Sequence, residues 1–375
     1  MEVLLTQQTP LFVAKEANMK KVTKKSNPVE LSGKRCYVGV DVHKASYYVS
    51  ILAEDGARRE FSTKADPDSL VFTLCEKLGI TVMALAHESG PTGYALAWAC
   101  QDAGIPIVVA ASSRIPRPIT AAGKTDRLDC IKLADYLAKG MLQSIAIPSR
   151  EDFAFRELSR KSRSLTRSRS RLKQEIKSFL LKNAIKEPEG LLRWTKSALA
   201  ALREIPLPKT LRATLDLHLD QLEYFSSQIR RAKALLKEAA EERGQRSVLD
   251  NLQTIPGVGE VISYTFAAEV FTPERFASAG QVCSFTGLAP QVRHSGEGKA
   301  RARLRSVGQK QLRTALVEGA WIWMRSEPTA RALFNRIVSK TGLPQKAICA
   351  VARKLVVVLW RIAVENRPYR LSTAT

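Results

Sequence analysis

The distribution of hydrophobic and polar positions separates an amino-terminal part with strand periodicity from a later part with helical periodicity. Four short apolar runs bounded by turn residues predict strands at residues 36–42, 46–53, 81–87 and 105–110, and the more polar residues 58–62 are a candidate for a further strand. Helices are predicted at residues 66–76, 93–103 and 126–138. Three consecutive strands followed by alternating helices and strands predict an α/β fold in which helices cover a mixed sheet.

The central part of the chain has heptad spacing, which is typical of long packed helices. Leucine or phenylalanine recurs every seven residues and predicts a helix over 155–181, at Leu158, Leu165, Leu172 and Phe179. Two further heptad lines follow, one at Leu215, Leu222, Ile229 and Leu236 and one at Leu211, His218, Phe225, Ala232 and Ala239. Interleaved lines predict a coiled-coil segment, formed within one chain or between two copies.

These changes of pattern predict four segments. Residues 1–34 are polar and rich in lysine, and we expect a flexible basic leader. Residues 35–147 carry the mixed sheet, and residues 148–245 carry a basic helix and the coiled coil. Residues 246–375 form a mainly helical carboxyl-terminal domain, with helices expected near 260–270, 277–285, 307–324 and 345–364.

The charge of the chain indicates a polyanionic partner. Lysine and arginine outnumber aspartate and glutamate by 59 to 36, for a net charge of +23. A cationic surface that only maintains solubility is the alternative. The cysteines and histidines have no zinc-binding spacing. The most apolar late stretch, residues 355–360, is far shorter than the ~20 residues that cross a bilayer, so we expect no membrane partner.

Four carboxylates stand where core packing does not require them. Asp41 and Glu88 each follow an apolar strand, and Asp126 and Asp129 are three residues apart at the start of a predicted helix. Hard oxygen ligands of this kind favour Mg²⁺ or Mn²⁺. The alternatives are a helix cap at Asp126, an ordinary first-turn acid at Asp129, and an ATPase phosphate loop at Asp41. The last expects glycines directly after Asp41, and the chain has none there.

Two segments have patterns that suit phosphate binding. The run at residues 255–259 places Gly257 and Gly259 as in a helix-hairpin-helix module, where backbone amides approach a DNA phosphate. A structural turn between helices is the alternative. The predicted helix over 155–181 has a face of basic residues, which are Arg160, Lys161, Arg163, Arg167, Arg169, Arg171 and Lys173.

A third cationic segment surrounds a serine. Glycines flank Ser295, and basic residues follow it, which favours a flexible loop that binds phosphate. The candidate ligands of that phosphate are Arg293, Lys299, Arg301, Arg303 and Arg305. The residues alone favour this interpretation over the alternative, in which Ser295 attacks phosphorus and arginines stabilise the developing charge.

In this order, these signals resemble the DEDD transposases of the insertion-sequence one-ten and eleven-eleven groups, the bridge-RNA-guided recombinases of mobile elements. The resemblance spans residues 36–364 and includes residues 39–41, 86–93, 124–129, 255–259, 285–290 and 294–296. It implies a RuvC-like, RNase H-type domain in which Asp41, Glu88, Asp126 and Asp129 bind Mg²⁺. It also implies that Ser295 forms a covalent link to DNA, which reverses the preference drawn from the residues alone.

The resemblance further implies donor and target DNA, a structured guide RNA, a homodimer or homotetramer, and a bacterial or archaeal cytoplasm near the nucleoid. The chain departs from the family pattern in its leader, and the spacing of residues 299–305 makes Ser306 a rival nucleophile. Two other functions stay open at this point. One is a RuvC-like, metal-dependent nuclease in which water attacks, and the other is a non-enzymatic protein that packages RNA or DNA.

Overall fold

The structure is a computed structural model, and it describes residues 29–116, 126–293, 301–304 and 308–371. The chain forms two compact units, one up to Ile147 and one from Pro148. Most of the predicted leader lies outside the described residues. Its last part belongs to the first unit, because Leu31 is buried in that unit's core and the Gly33 amide donates to the Gly79 carbonyl. Residues 29–34 are therefore part of the fold and not of a flexible leader.

The described residues of the first unit form five strands and three α-helices. The strands are β1 (Arg35–Val42), β2 (Ser46–Ala53), β3 (Arg58–Lys64), β4 (Thr81–Glu88) and β5 (Ile107–Ala110). The helices are α1 (Pro67–Phe72), α2 (Ala95–Asp102) and α3 (Asp126–Ala138). A π-helical turn over Thr73–Lys77 continues α1. The predicted mixed sheet with flanking helices is confirmed.

The sheet has the strand order β3-β2-β1-β4-β5. β1, β2 and β3 pair antiparallel, whereas β4 lies parallel to both β1 and β5. Short turns join the first three strands; the turn between β2 and β3 includes Gly56 at a φ of +86°. The later strands are joined through helices, and such crossovers permit parallel pairing. Alternate residues of β1, namely Cys36, Val38 and Val40, are fully buried in the core.

The described part of the second unit is helical apart from one short β-hairpin. Its helices are α4 (Arg150–Lys182), α5 (Lys196–Glu204), α6 (Lys209–Glu242), α7 (Arg246–Gln253), α8 (Glu260–Val270), α9 (Ala279–Phe285), α10 (Lys310–Ser326), α11 (Pro328–Thr341) and α12 (Pro344–Glu365). The strands β6 (Pro290–Arg293) and β7 (Arg301–Leu304) pair antiparallel. The helices α5, α7 and α11 and the β6–β7 pair are not among the elements that the sequence predicted.

The long helices α4 and α6 pack antiparallel. Leu180 near the end of α4 packs in one cluster with Leu215 near the start of α6, and Phe155 near the start of α4 packs with Ala240 near the end of α6. The heptad leucines Leu215, Leu222 and Leu236 of α6 are buried in these clusters. The predicted helical pair is thus formed within one chain, and a coiled coil between copies stays a prediction.

The rest of the second unit packs around α8, α10 and α12. Phe266, Trp323 and Leu355 from these three helices are almost fully buried in one core. The hairpin at residues 255–259 contributes Ile255 and Val258 to the same core. None of the helices in the described ranges combines the length and the hydropathy that crossing a membrane requires.

Candidate catalytic and nucleic-acid-binding sites

Two of the predicted acids lie side by side at one edge of the sheet. In the parallel pair of β1 and β4, Val40 is opposite His87, so the next residues, Asp41 and Glu88, are neighbours. Alternate residues of a strand share a face. Asp41 therefore faces the same side of the sheet as Gly39.

Helix α3 covers that side of the sheet at short distance. A β-carbon added to Gly39 would lie 2.2 Å from the carbonyl oxygen of Cys130 and 2.5 Å from the amide nitrogen of Ala134. Only glycine permits this approach. Asp126 is the first residue of α3, and Asp129 directly precedes Cys130. The fold thus brings the backbone of the first turns of α3 close to β1, although the side chain of Asp126 lies outside the described part.

The electrostatics of Cys130 give a second sign of this proximity. Burial raises the pKa of its thiol to about 12, and the nearby carboxylates of Glu60 and Asp41 contribute to the shift. A carboxylate raises a thiol pKa in this way only over a short distance, because solvent screens electrostatic interactions over longer distances. Asp41 therefore lies near the start of α3, and we use the name acidic edge for the four predicted metal ligands (Asp41, Glu88, Asp126 and Asp129).

Two basic neighbours of the acidic edge were missed by the sequence reasoning. Nε2 of His43 donates to Oδ2 of Asp41 at 3.1 Å, and Nζ of Lys132 lies 3.6 Å from Oδ1 of Asp129. The members of each pair are close in the sequence, because His43 is two residues after Asp41 and Lys132 is three residues after Asp129. Those spacings are the signal that would have identified His43 and Lys132.

The donor set of the acidic edge fits a hard divalent cation, since it consists of carboxylate oxygens. In the part of the chain that the structure describes, no group of three or more His, Cys, Asp or Glu side chains lies close enough to hold a metal ion. That search does not include the side chain of Asp126. The Mg²⁺ or Mn²⁺ site therefore stays a prediction that rests on the type of ligand and on the adjacency of Asp41 and Glu88.

Three of the predicted nucleic-acid-binding residues on α4 are exposed, namely Lys161, Arg167 and Arg171. Arg171 is the most accessible of them, with 85% of its side chain exposed, although it forms an ion pair with Glu175 at 3.3 Å. An exposed pair of this kind contributes little to stability. All three cations can therefore turn toward a phosphate.

Two further residues of this basic face, Arg160 and Arg163, contact the second unit's own helices. Nε and Nη2 of Arg160 each donate to Glu269 of α8 at 2.9 Å, and only 3% of the Glu269 side chain is exposed. Arg163 donates to Oγ1 of Thr265 at 3.0 Å and to the carbonyl of Gln311 at 2.8 Å. The buried carboxylate gives Arg160 a structural role and makes it a poorer phosphate ligand than its neighbours.

The two glycines of the hairpin at residues 255–259 have different surroundings. Gly257 has a φ of +86°, and a β-carbon there would lie 2.7 Å from the carbonyl oxygen of Gly319 in α10. Gly259 has an ordinary φ and open space around the position of a β-carbon. Packing against α10 thus accounts for Gly257, whereas Gly259 keeps an open backbone that a phosphate can approach.

The serine segment is described only in part. Arg293 and Arg301 are opposite each other at the end of the β6–β7 pair that residues 294–300 connect, and Arg303 pairs with Gln291; their side chains lie outside the described part. Four further predicted residues are not among the described residues, and these are Ser295, Lys299, Arg305 and Ser306.

Comparisons with known proteins give the same family along most of the chain. Residues 38–184 match the model of a DEDD transposase of the IS110 type, and residues 249–335 match the model described as the transposase IS116/IS110/IS902 family. Together the two matches cover more than half of the chain.

The sequence identity to individual relatives is low, and the share of the chain that each match covers varies. The chain is 27% identical to a putative transposase (y4qE) of Sinorhizobium fredii, over 91% of this chain and 94% of the relative. It is 24% identical to the transposase for insertion sequence element IS1111A of Coxiella burnetii, over 71% of this chain and 74% of the relative. It is 30% identical to the pilin gene-inverting protein of Moraxella bovis over 32% of this chain and 37% of that protein.

Proposed function

Since the chain belongs to the IS110 family of DEDD transposases, we propose that it moves an insertion sequence by cutting and rejoining DNA through a covalent bond between DNA and Ser295. Transposases are enzymes that cleave and rejoin DNA strands, so the enzyme class follows from the family. The covalent intermediate, the metal ligands and the guide RNA are what the proposal adds.

The observation that supports the metal site best is the parallel register of β1 and β4, which makes Asp41 and Glu88 neighbours. In the proposal these two residues, with Asp126 and Asp129 of α3, hold one or two Mg²⁺ or Mn²⁺ ions. When bound, such ions stabilise the charge on the phosphodiester and on its attacking and leaving oxygens. The acids also need a cation, because like charges in one site repel each other.

In the proposed reaction, the Ser295 hydroxyl loses its proton and its oxygen forms a bond to phosphorus. The bond from phosphorus to the bridging deoxyribose oxygen breaks, which leaves one free hydroxyl end and one strand esterified to the serine. Attack by the hydroxyl end of another strand reverses the exchange and releases the serine. No phosphodiester is lost to water, so strands are rejoined without an external energy source.

The proposal also includes a structured guide RNA and a homodimer or homotetramer. The net charge of +23 and the exposed cations of α4, together with the open backbone at Gly259, support a large polyanionic partner. Within this division of labour, residues 35–147 form the catalytic domain, residues 148–245 the basic helix and helical pair, and residues 246–375 the domain of the serine.

The serine intermediate is tested with DNA that carries the ends of the element and with three proteins: wild type, Ser295→Ala and Ser306→Ala. We expect wild type and Ser306→Ala to form a protein–DNA adduct that survives denaturing electrophoresis, while Ser295→Ala binds DNA and forms none. An adduct that disappears only in Ser306→Ala would move the nucleophile to the rival serine. Cleavage by wild type with no adduct in any sample would favour the nuclease in which water attacks.

The acidic edge is tested with Asp41→Asn and with Asp55→Asn as a matched control, since Asp55 is an exposed acid of the same unit that pairs with Lys34. Asp41→Asn should abolish Mg²⁺-dependent cleavage and keep DNA binding, and Asp55→Asn should retain both. Equal activity of the two variants would remove Asp41 from the reaction.

Sequencing of RNA that copurifies with the protein tests the proposed guide RNA. The proposal requires that one structured RNA species copurifies, and a random sample of transcripts would contradict it.

A further inference from the structure

A pocket of about 220 Å³ lies within the second unit, between α4, α6 and α8. Its ionisable lining is strongly biased toward positive charge. Four cations and a single carboxylate line it, namely Arg163, Arg167, Lys233, Lys237 and Glu260. We call it the three-helix pocket.

The one carboxylate does not neutralise the pocket. Glu260 accepts from Lys233 at 3.2 Å and pairs with Lys237 at 2.7 Å, so two lysines share one negative charge. The hydrogen bonds of Arg163, by contrast, go to a hydroxyl and a backbone carbonyl, both of which are neutral. Burial and the neighbouring charge of Arg167 lower the pKa of Arg163, and the carboxylate of Glu269, which is paired with Arg160, partly opposes this shift. A guanidinium that is half-buried beside a like charge gains stability when an anion binds near it.

The accessible surface of the three-helix pocket is largely apolar, although four hydroxyl residues also line it, namely Ser159, Ser162, Thr166 and Thr265. Leu236 and Tyr264 are buried there, and Val261 presents an apolar side chain that is 55% exposed. The volume is below the ~300–1,000 Å³ of pockets that enclose a whole drug-sized ligand. A site of this size suits one unit of a longer molecule, and its charge favours a unit that carries an anionic group such as a phosphate.

We propose that the three-helix pocket receives one unpaired nucleotide of a bound single strand, with its phosphate at Arg163 and Arg167 and its base against Leu236 and Val261. Single-stranded nucleic acids bind in this manner, through cations that follow the backbone and apolar surfaces that take the bases. The inference rests on the proposed function, because that function supplies single-stranded segments of DNA and of guide RNA. A paired base cannot enter, since it is stacked inside the duplex.

The main test fills the pocket by Val261→Trp. Its matched control is Leu217→Trp on α6, a position that is 71% exposed and does not line the pocket. Fluorescence anisotropy measures the binding of three labelled probes to each protein: a single-stranded DNA, a single-stranded RNA and a blunt duplex DNA. We expect Val261→Trp to bind one or both single strands about 10- to 100-fold more weakly and the duplex unchanged, and Leu217→Trp to bind all three as wild type does. The strand that loses affinity identifies the source of the nucleotide.

A second pair of variants tests the phosphate contact without filling the pocket. Arg167→Gln removes a pocket cation, and Arg231→Gln removes an exposed cation that lies about 120–160° away from the pocket-lining lysines around α6. Arg167→Gln should weaken single-strand binding and make the slope of log K against log salt concentration shallower by about 0.7, the value for one lost phosphate contact. Arg231→Gln should leave the affinity and the slope unchanged.

The outcomes that overturn the inference are separate from failure of the proposed function. Wild-type affinity of Val261→Trp for both single strands would show that the pocket takes no nucleotide. An equal loss for single strands and duplex would indicate a surface that binds any phosphate backbone. If the wild-type protein bound none of the probes, the nucleic-acid function itself would be wrong.

Discussion

Gly39 of β1 lies against the main chain of Cys130 in α3, with no room between them for a side chain. The atoms that a β-carbon would meet belong to backbone, so they cannot move aside as a flexible side chain would. Gly39→Ala should therefore push α3 away from β1, at a cost of about 1–3 kcal/mol or more. Because α3 carries Asp126 and Asp129, we expect DNA cleavage to fall together with stability.

Hydrogen–deuterium exchange of peptides from β1 and α3 measures this displacement directly. The control is Gly280→Ala in α9, where the Ser278 side chain at 3.7 Å is the only neighbour within 4 Å among the described residues and φ is not positive. That variant should keep wild-type exchange and cleavage. Unchanged protection of α3 in Gly39→Ala would show that the contact does not position the helix.

The strands β1, β2, β4 and β5 were predictable because each has a clear apolar run that ends in a turn or a polar residue, whereas β3 has Phe61 as its one buried hydrophobic residue. The same reasoning identified Asp41 and Glu88 as strand-end acids, although their adjacency depends on which strands pair. The β6–β7 pair was missed because β7 is only four residues long, and the alternation of Arg301 and Arg303 with Ala302 and Leu304 is too short to separate from a cationic loop. Helix α11 was missed for a similar reason, since Ala330 is its one buried residue among those described.

Contacts between residues far apart in the chain are the part of the structure that local sequence patterns could not predict. Arg160 and Glu269 are 109 residues apart in the chain, and only the packing of α4 on α8 brings them together. The sequence thus grouped Arg160 with the exposed cations of the same helix. The same limit applies to Gly257, whose contact with Gly319 depends on where α10 packs.

His43 is expected to position Asp41 for metal binding. Its Nε2 donates to one carboxylate oxygen at 3.1 Å, which restricts the rotation of that carboxylate. Loss of a hydrogen bond to a metal ligand typically costs about 10- to 100-fold in metal affinity or activity. His43→Ala should raise the Mg²⁺ concentration for half-maximal cleavage by that factor, and His43→Asn, which keeps a donor, should raise it less.

Binding of Mn²⁺, followed by electron paramagnetic resonance, provides a readout that does not depend on cleavage. Lys44→Ala is the control, because Lys44 is the exposed residue next to His43 and has not been assigned to the site. If His43→Ala bound Mn²⁺ and cleaved DNA as the control does, the histidine would have no positioning role.

The hairpin glycines should separate stability from DNA binding. Gly257→Ala meets backbone at 2.7 Å and has an unfavourable φ of +86°, so we expect a lower melting temperature of the second unit. Gly259→Ala meets nothing within 4 Å and should melt as wild type does. A methyl group at Gly259 should instead weaken DNA binding by obstructing the approach of a phosphate. Equal melting temperatures for the two variants would contradict the packing role of Gly257.

Substitutions of Arg160 and of its neighbour Lys161 should differ in their effects on stability and on nucleic-acid binding. Arg160→Met leaves the carboxylate of Glu269 buried without its partner, and breaking buried pairs costs about 3–5 kcal/mol. We expect a smaller value here, about 2–3 kcal/mol, because 36% of the Arg160 side chain is exposed. Lys161→Met should leave stability unchanged and weaken nucleic-acid binding, with a smaller salt dependence. Urea denaturation and binding titrations check these outcomes. Adding Glu269→Leu to Arg160→Met should restore most of the lost stability, and a further loss would mean that the carboxylate has another structural role.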